Sequence, residues 1–192
     1  MVVAAARAHL VRAGADQLSL RGVARDLGVT APALYAYVRD KQELLAAVAT
    51  EHFERLVDRF DRIEADDPVQ RIREMSRAYV AHALESPALF RLLFRYPPIP
   101  APGVDAFPPA ARAFEAASAA TEAAIAAGLL TVEDPALASM VMWAAVHGVA
   151  EVLLMGLGFD DNATEALVAG VVETVLIGQG VQSMGTGMGG TR

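Results

Sequence analysis

The chain has 192 residues, of which 54% are hydrophobic and 20% charged, with a formal net charge of −7 and no cysteine. A chain this apolar is not intrinsically disordered, and the lack of cysteine excludes disulfides, thiolate metal sites, iron–sulfur clusters and a cysteine nucleophile. Residues 1–50 hold six basic and four acidic groups, against ten and nineteen in the remaining 142, so a mildly basic head on an acidic body assigns any contact with a polyanion to the head.

Alanine and leucine dominate, β-branched alternation is rare, and Gly and Pro fall at joints, which predicts an all-α protein. The first helix is expected over Val2–Ala13, ending at Gly14. Ser19 suits the cap of a short helix over Leu20–Leu27, with Gly28 as its left-handed stop. Thr30 suits the cap of the next, Ala31–Tyr37, which tolerates Pro32 in its first turn. Asp40-Lys41-Gln42-Glu43 reads as a capping box with Asp at its head, opening a longer helix to about Glu64. Further helices are expected over Pro68–Glu85, Pro87–Arg95, from Pro108-Pro109 to Gly128, from Asp134-Pro135 onward, and over Ala163–Ile177. A proline-rich stretch begins at Tyr96, and the Gly-rich segment from Gly178 reads as a flexible tail. Gly185 to Gly190 fits G-x-G-x-x-G but follows no strand and opens no helix, so it carries no nucleotide site.

The run Ala136–Phe159 is 24 residues long and nearly all apolar, enough to span a bilayer. His147 and Glu151 sit inside it, and a mid-membrane carboxylate costs about 2.5–3.5 kcal/mol on insertion scales. A helix buried by its own domain and a partner subunit is the preferred reading, without a membrane. The N-terminus shows no basic segment ahead of an apolar run, because Arg7, His9 and Arg12 interrupt it, so a secretory signal is not expected and the chain reads as cytoplasmic.

Function concentrates between Ser19 and Leu45. Two short helices joined by Gly28-Val29-Thr30 carry apolar positions at Leu20, Val23, Ala24, Leu27, Leu34 and Val38. Small Ala24 permits a close crossing and Gly28 a sharp turn, the pattern of a helix-turn-helix whose second helix enters a major groove. The segment Leu34-Tyr35-Ala36-Tyr37-Val38-Arg39-Asp40-Lys41 resembles the signature of the TetR family of transcriptional regulators, over roughly Val3 to Val48. The resemblance implies phosphate contacts from Ser19, Thr30, Tyr35, Tyr37 and Lys41, and it puts Arg21 where a base can be read. It also puts Ala31, Pro32 and Ala33 where the recognition helix faces base edges. These three offer no bidentate hydrogen bonds, so base readout leans on Arg21, with Arg25 in reserve, and on DNA shape. Tyr35 and Tyr37 taken alone would also suit packing between helices, and Arg25 and Asp26 would also suit plain decoration of an outer face. Two departures stand out: Tyr37 replaces the commoner His, and Met1 practically begins the first helix, so that a basic arm is absent or the chain start truncated.

Residues from about 51 onward resemble the family's regulatory domain, and Trp143-Ala144-Ala145-Val146-His147-Gly148 resembles the motif of its WHG subgroup. The expected organisation is a DNA-binding domain over 1–48, a helical ligand-binding and dimerisation domain over 49–179, and a tail over 180–192. Phe90, Phe94, Met140, Trp143, His147 and Glu151 are candidates for an effector pocket, each also compatible with ordinary core packing. His147 and Glu151, at i and i+4, can orient a polar group of a ligand or satisfy an internal or interface hydrogen bond. The proline-rich loop can cover a pocket mouth or merely connect two helices. G-x-S-x-G and H-E-x-x-H are absent, and His9, His52, His82 and His147 are dispersed, so no catalytic residue, metal site or cofactor is expected. The expectation is a homodimeric repressor that binds a palindromic double-stranded operator and is released by a small apolar effector. The alternative is an apolar-ligand-binding or interaction protein whose helix-turn-helix is purely structural.

Overall fold

The computed structural model describes residues 1–14, 17–95 and 108–181, with backbone only at 93–95, 108 and 109. Every regular element among the described residues is a helix. In chain order they are α1 (Val2–Ala13), α2 (Leu20–Leu27), α3 (Ala31–Tyr35), α4 (Lys41–Asp61), α5 (Pro68–Glu85), α6 (Pro87–Arg95), α7 (Pro108–Ala126), α8 (Pro135–Leu154) and α9 (Asp161–Gly178). Packing divides the chain into two compact units, one of Met1–Arg62 with Ala81–Glu115, the other of Ile63–Val80 with Ala116–Arg192. Helices α5 and α7 therefore each contribute residues to both.

In the first unit α1 packs on α2, α4 and α6, and α2 packs on α3. Leu10, Val23, Leu34, Leu44, Val48 and Leu89 are almost fully buried at the centre of this core. Burying a Leu or Val side chain contributes about 1.5–3 kcal/mol, so the apolar stripes on α1, α2 and α4 are what hold the short, weakly propensive α3 in place. Helix α3 is shorter than its sequence suggests. The Leu34 carbonyl accepts from both Tyr37 N–H (2.9 Å) and Val38 N–H (3.2 Å), which tightens the last turn and swings Val38 into the core, where it is 7% exposed.

In the second unit α8 packs along α9. Ala138, Met142, Val146 and Val149 of α8 and Val168, Val172 and Leu176 of α9 are buried, positions three or four apart that form one face of each helix. Gln179 Nε2 donates to the Ala138 carbonyl at 2.8 Å and Thr131 N–H donates to the Gln179 carbonyl at 2.9 Å, closing the end of this pair. Arg73 of α5 holds Glu173 of α9 with two bonds at 2.5 and 3.0 Å, and Arg77 holds Glu165 at 2.7 Å.

Helix α8 stops at Leu154, well short of the apolar run's end at Phe159, because Gly156 (φ 74°) and Gly158 (φ 80°) adopt left-handed conformations. The chain then restarts at Asp160, whose side chain accepts from Ala163 N–H at 2.7 Å. Among the described residues α8 alone is long and apolar enough to cross a membrane, with a mean hydropathy of 1.7. Helix α4 ends at Asp61, three residues earlier than expected.

Candidate nucleic-acid interface and ligand-site residues

Helices α2, α3 and α4 of the head are each started by a capping side chain. Ser19 Oγ accepts from Gly22 N–H at 3.1 Å and starts α2. Gly28, at φ 68°, ends it, and its N–H turns back to the Ala24 and Arg25 carbonyls. Thr30 Oγ1 accepts from Ala33 N–H at 3.3 Å and starts α3. Asp40 Oδ1 accepts from Glu43 N–H at 2.8 Å, while Glu43 reaches back to the Arg39 N–H at 2.5 Å. This is the reciprocal pattern of a capping box, shifted by one residue. The bonds from Arg39, backbone first, hold the Glu43 carboxyl below its usual range.

The predicted DNA-facing residues lie within one short stretch of sequence, and most of them reach the surface. Ser19, Arg21, Thr30, Pro32 and Ala33 are exposed, and Ala31 and Lys41 are half-buried. Tyr35 is 52% exposed and Tyr37 76%, so neither ring is a core residue; the buried residues of that segment are Leu34 and Val38. Ser19 and Thr30 already accept a main-chain N–H, yet a hydroxyl also donates one proton. Those two O–H groups, the two phenols and the Lys41 ammonium are therefore donors suited to phosphate oxygens.

One structural device of the head was not legible in the sequence. His9 of α1 is 5% exposed. Its Nδ1 lies 2.8 Å from Asp26 Oδ2 and its Nε2 3.3 Å from the Gln17 carbonyl. Arg12 donates to the same Asp26 oxygen at 2.5 Å. Bonds from His9 and then Arg12 hold the Asp26 carboxyl below its ordinary range. Asp26 is thus a tie between α1 and α2 and not decoration. Gly22 lets the His9 ring lie against α2, since a Cβ there would come 2.9 Å from His9 Cε1. A Gly inside a helix against which a histidine-bearing helix must pack was the available signal.

The six candidate ligand residues separate. Phe90 is buried in the first unit. Phe94 belongs to α6, with its side chain outside the described residues. Met140, Trp143, His147 and Glu151 lie half-buried on α8 in the second unit. Trp143 stacks on His147, with ring centroids 5.3 Å apart and planes at 24°. Tyr79 of α5, absent from the predicted set, lies with its hydroxyl 3.1 Å from His147 Nδ1 and also bonds Trp143. An indole N–H only donates, so Tyr79 Oη accepts from Trp143, which leaves its own O–H available for His147. Burial keeps the Tyr79 phenol protonated and pushes the His147 imidazole toward neutrality, the nearby Glu151 opposing the latter. The proline-rich loop over 96–107 and the tail over 182–192 lie outside the described residues. Among the described residues no three His, Asp or Glu side chains converge as a metal site.

Comparison with known proteins agrees with this geometry. Residues 2–48 match the family described as bacterial regulatory proteins, tetR family. Residues 72–175 match the tetracyclin repressor-like C-terminal domain. The HTH-type transcriptional regulator Rv1816 of Mycobacterium tuberculosis is 34% identical over 111 residues, 56% of this chain and 46% of that protein. The chain spans about half the length of the curated relatives it matches. A protein of unknown function from Rhodococcus sp. RHA1 superimposes with a TM-score of 0.82 at 27% identity, covering 94% of each chain. The regulator PfmR of Thermus thermophilus shares the fold, with a TM-score of 0.69 at 17% identity over 92% of this chain and 97% of its own.

Proposed function

Since this chain belongs to the TetR family of bacterial regulatory proteins, we propose that it is a cytoplasmic, homodimeric transcriptional repressor released from its operator by a small apolar effector. Residues 1–48 bind DNA, residues 49–179 bind the effector and the second subunit, and residues 180–192 form a tail. The observation that carries the DNA-binding part is the exposure of Tyr35 and Tyr37, together with that of Ser19 and Thr30 at the caps of α2 and α3. These groups and Lys41 hold phosphates, and the ammonium adds release of counterions. Ala31, Pro32 and Ala33 contact thymine methyls or exclude the wrong groove shape, which leaves hydrogen-bonded base readout to Arg21. Discrimination per half-site is therefore modest, and specificity draws on pairing two half-sites.

Dimerisation is supported by what α8 and α9 leave uncovered. Leu137, Val141, Ala144 and Gly148 are exposed along α8, as are Ala166, Gly170, Thr174 and Ile177 along α9. Small and apolar residues at helical spacing suit a close isologous contact. Such a dimer presents two recognition helices about 34–36 Å apart, for successive major grooves of a palindromic site. The effector acts by binding the two states of the dimer with different affinity.

The test is fluorescence anisotropy on duplex DNA from the region flanking the protein's own gene, across a salt series. Binding whose log K falls steeply with log salt is expected. Absence of binding at every salt concentration would overturn the DNA-binding role and favour a ligand-binding protein with a structural helix-turn-helix.

A further inference from the structure

The head carries a buried histidine whose two ring nitrogens both meet an acceptor. The His9 ring lies against Gly22 in the first turn of α2. Its Nδ1 stands 2.8 Å from Asp26 Oδ2, in the last turn of α2. Its Nε2 stands 3.3 Å from the carbonyl of Gln17, two residues ahead of the Ser19 cap. A carbonyl only accepts, and so does an ionised carboxylate. Asp26 is ionised, since bonds from His9 and then Arg12 hold it below its ordinary range. Arg12 Nη2 also comes within 3.3 Å of Nδ1, but it donates to the same Asp26 oxygen at the shorter distance of 2.5 Å.

A neutral imidazole has one N–H and one lone pair. With the proton on Nε2, the Nδ1 lone pair faces a carboxylate. With the proton on Nδ1, the Nε2 lone pair faces a carbonyl. The imidazolium, with two N–H groups, satisfies both bonds at once, and Asp26 matches its charge. The other elements packed on α1 bring charges that are turned elsewhere or lie at the surface. Helix α4 meets α1 through Glu51, which bonds Arg7 and Arg55, while its Glu43 is turned to Arg39. Helix α6 carries the exposed Arg91, and α2 the exposed Arg21 and Arg25. Asp26 and Arg12 are the charges bonded at the ring.

We propose that His9 is a proton-dependent positioning residue of the DNA-binding surface: as the imidazolium it ties both ends of α2 to α1, and loss of its proton weakens operator binding. When the proton leaves, one of the two bonds becomes a contact between lone pairs. Either the last turn of α2 or the Gln17-Leu18 lead-in then moves away from the ring. Ser19 and Arg21, at the start of α2, move with it, and these are residues assigned to DNA. Imidazole is the side chain whose charge changes across neutral pH, so operator affinity rises as the pH falls. The effect on DNA rests on the proposed function, while the protonated state of the ring does not.

The test measures affinity for duplex DNA from the region flanking the protein's own gene, at fixed salt, from about pH 6 to about pH 8.5. Wild type and His9→Gln are compared, alongside the ¹H–¹⁵N imidazole spectrum of the DNA-free wild type. His52 and His82, lowered by burial to about 3 and about 4, stay neutral across this range and do not contribute. Wild type should bind about tenfold more tightly at the acid end, the equivalent of one charge-assisted hydrogen bond. The His9 ring should carry protons on both nitrogens there. Glutamine keeps an amide donor but does not titrate, so His9→Gln should bind with little dependence on pH. A flat wild-type profile, a slope retained in His9→Gln, or a His9 ring with one proton at the acid end would each overturn the proposal. Should the variant not fold, the wild-type profile and the ring spectrum decide alone. No binding at any pH would overturn the proposed function and with it the effect on DNA, whereas a flat profile of real binding overturns the proton dependence and leaves that function standing.

Discussion

Replacing Gly22 by Ala probes the head where its packing is tightest. On helix propensity alone the change is favourable, by about 0.8–1.0 kcal/mol for Ala over Gly in a helix interior. The structure predicts the opposite sign. The new Cβ would stand 2.9 Å from His9 Cε1 and 3.0 Å from Ser19 Oγ. Neither atom can retreat without loss, because the His9 ring is tied to Asp26 and Gln17 and Ser19 Oγ caps α2. Overpacking costs about 1–3 kcal/mol and a weakened cap about 1 kcal/mol, so a net destabilisation of about 1–3 kcal/mol is expected. With a urea dependence of about 1–3 kcal/mol per molar, the midpoint of urea unfolding should fall by roughly 1 M. A variant as stable as the wild type, or more so, would refute the claim that the α1–α2 approach is set by His9 against Gly22.

Acid should destabilise the protein through His52 and His82. Both are held neutral in the fold below the ordinary 6.5, at about 3 and about 4, so the unfolded chain binds more protons below pH 6.5. Their stabilisation is full above that pH and is lost as pH falls toward the folded values, by about 2 kcal/mol for each at pH 5. Urea midpoints at pH 7.5 and 5 should differ accordingly in the wild type and converge in a His52→Phe/His82→Leu variant; a wild-type profile flat over this range would contradict their neutral burial. Tyr79→Phe removes the hydroxyl that links Trp143 to His147, with an expected loss of about 1–3 kcal/mol. Because Trp143 is the only tryptophan, its emission should shift as well, and unchanged stability and emission would remove that link. At Gly148 a Cβ meets nothing within 4 Å in the protomer, so Gly148→Arg should keep the fold and yield monomers by sedimentation; persistent dimers would take α8 out of the proposed interface.

The helices of the head were readable because local chemistry marks their ends. Ser19, Thr30 and Asp40 each cap as their positions suggest, and Gly28 takes its left-handed turn. Lengths were less legible where tertiary packing decides. Burial of Val38 cuts α3 short, and paired left-handed glycines halt α8 while the apolar run continues. Hydrophobicity says that a segment is buried, not that it stays helical. The exposure of Tyr35 and Tyr37 follows from Leu34 and Val38, on either side of the Tyr35–Tyr37 stretch, taking the core positions. The side-chain ties joined distant parts of the chain: His9 to Asp26, His52 to His82, Tyr79 to His147. Separations of 17, 30 and 68 residues carry no local periodicity, so only the packed structure pairs them. The pocket candidates on α8 did fall on one helical face, but the partner that engages them came from α5.

The most direct test of the account is operator affinity in the Tyr35→Phe/Lys41→Ala variant, measured beside its urea midpoint and across a salt series. Loss of a phenolic donor and an ammonium from phosphate contacts should cost roughly 100-fold in affinity and lower the salt slope by about 1. Folding stability should change by no more than about 1 kcal/mol, since Tyr35 is exposed and Lys41 half-buried, outside the core. Unchanged DNA affinity in a folded variant would contradict the assignment of this surface to DNA.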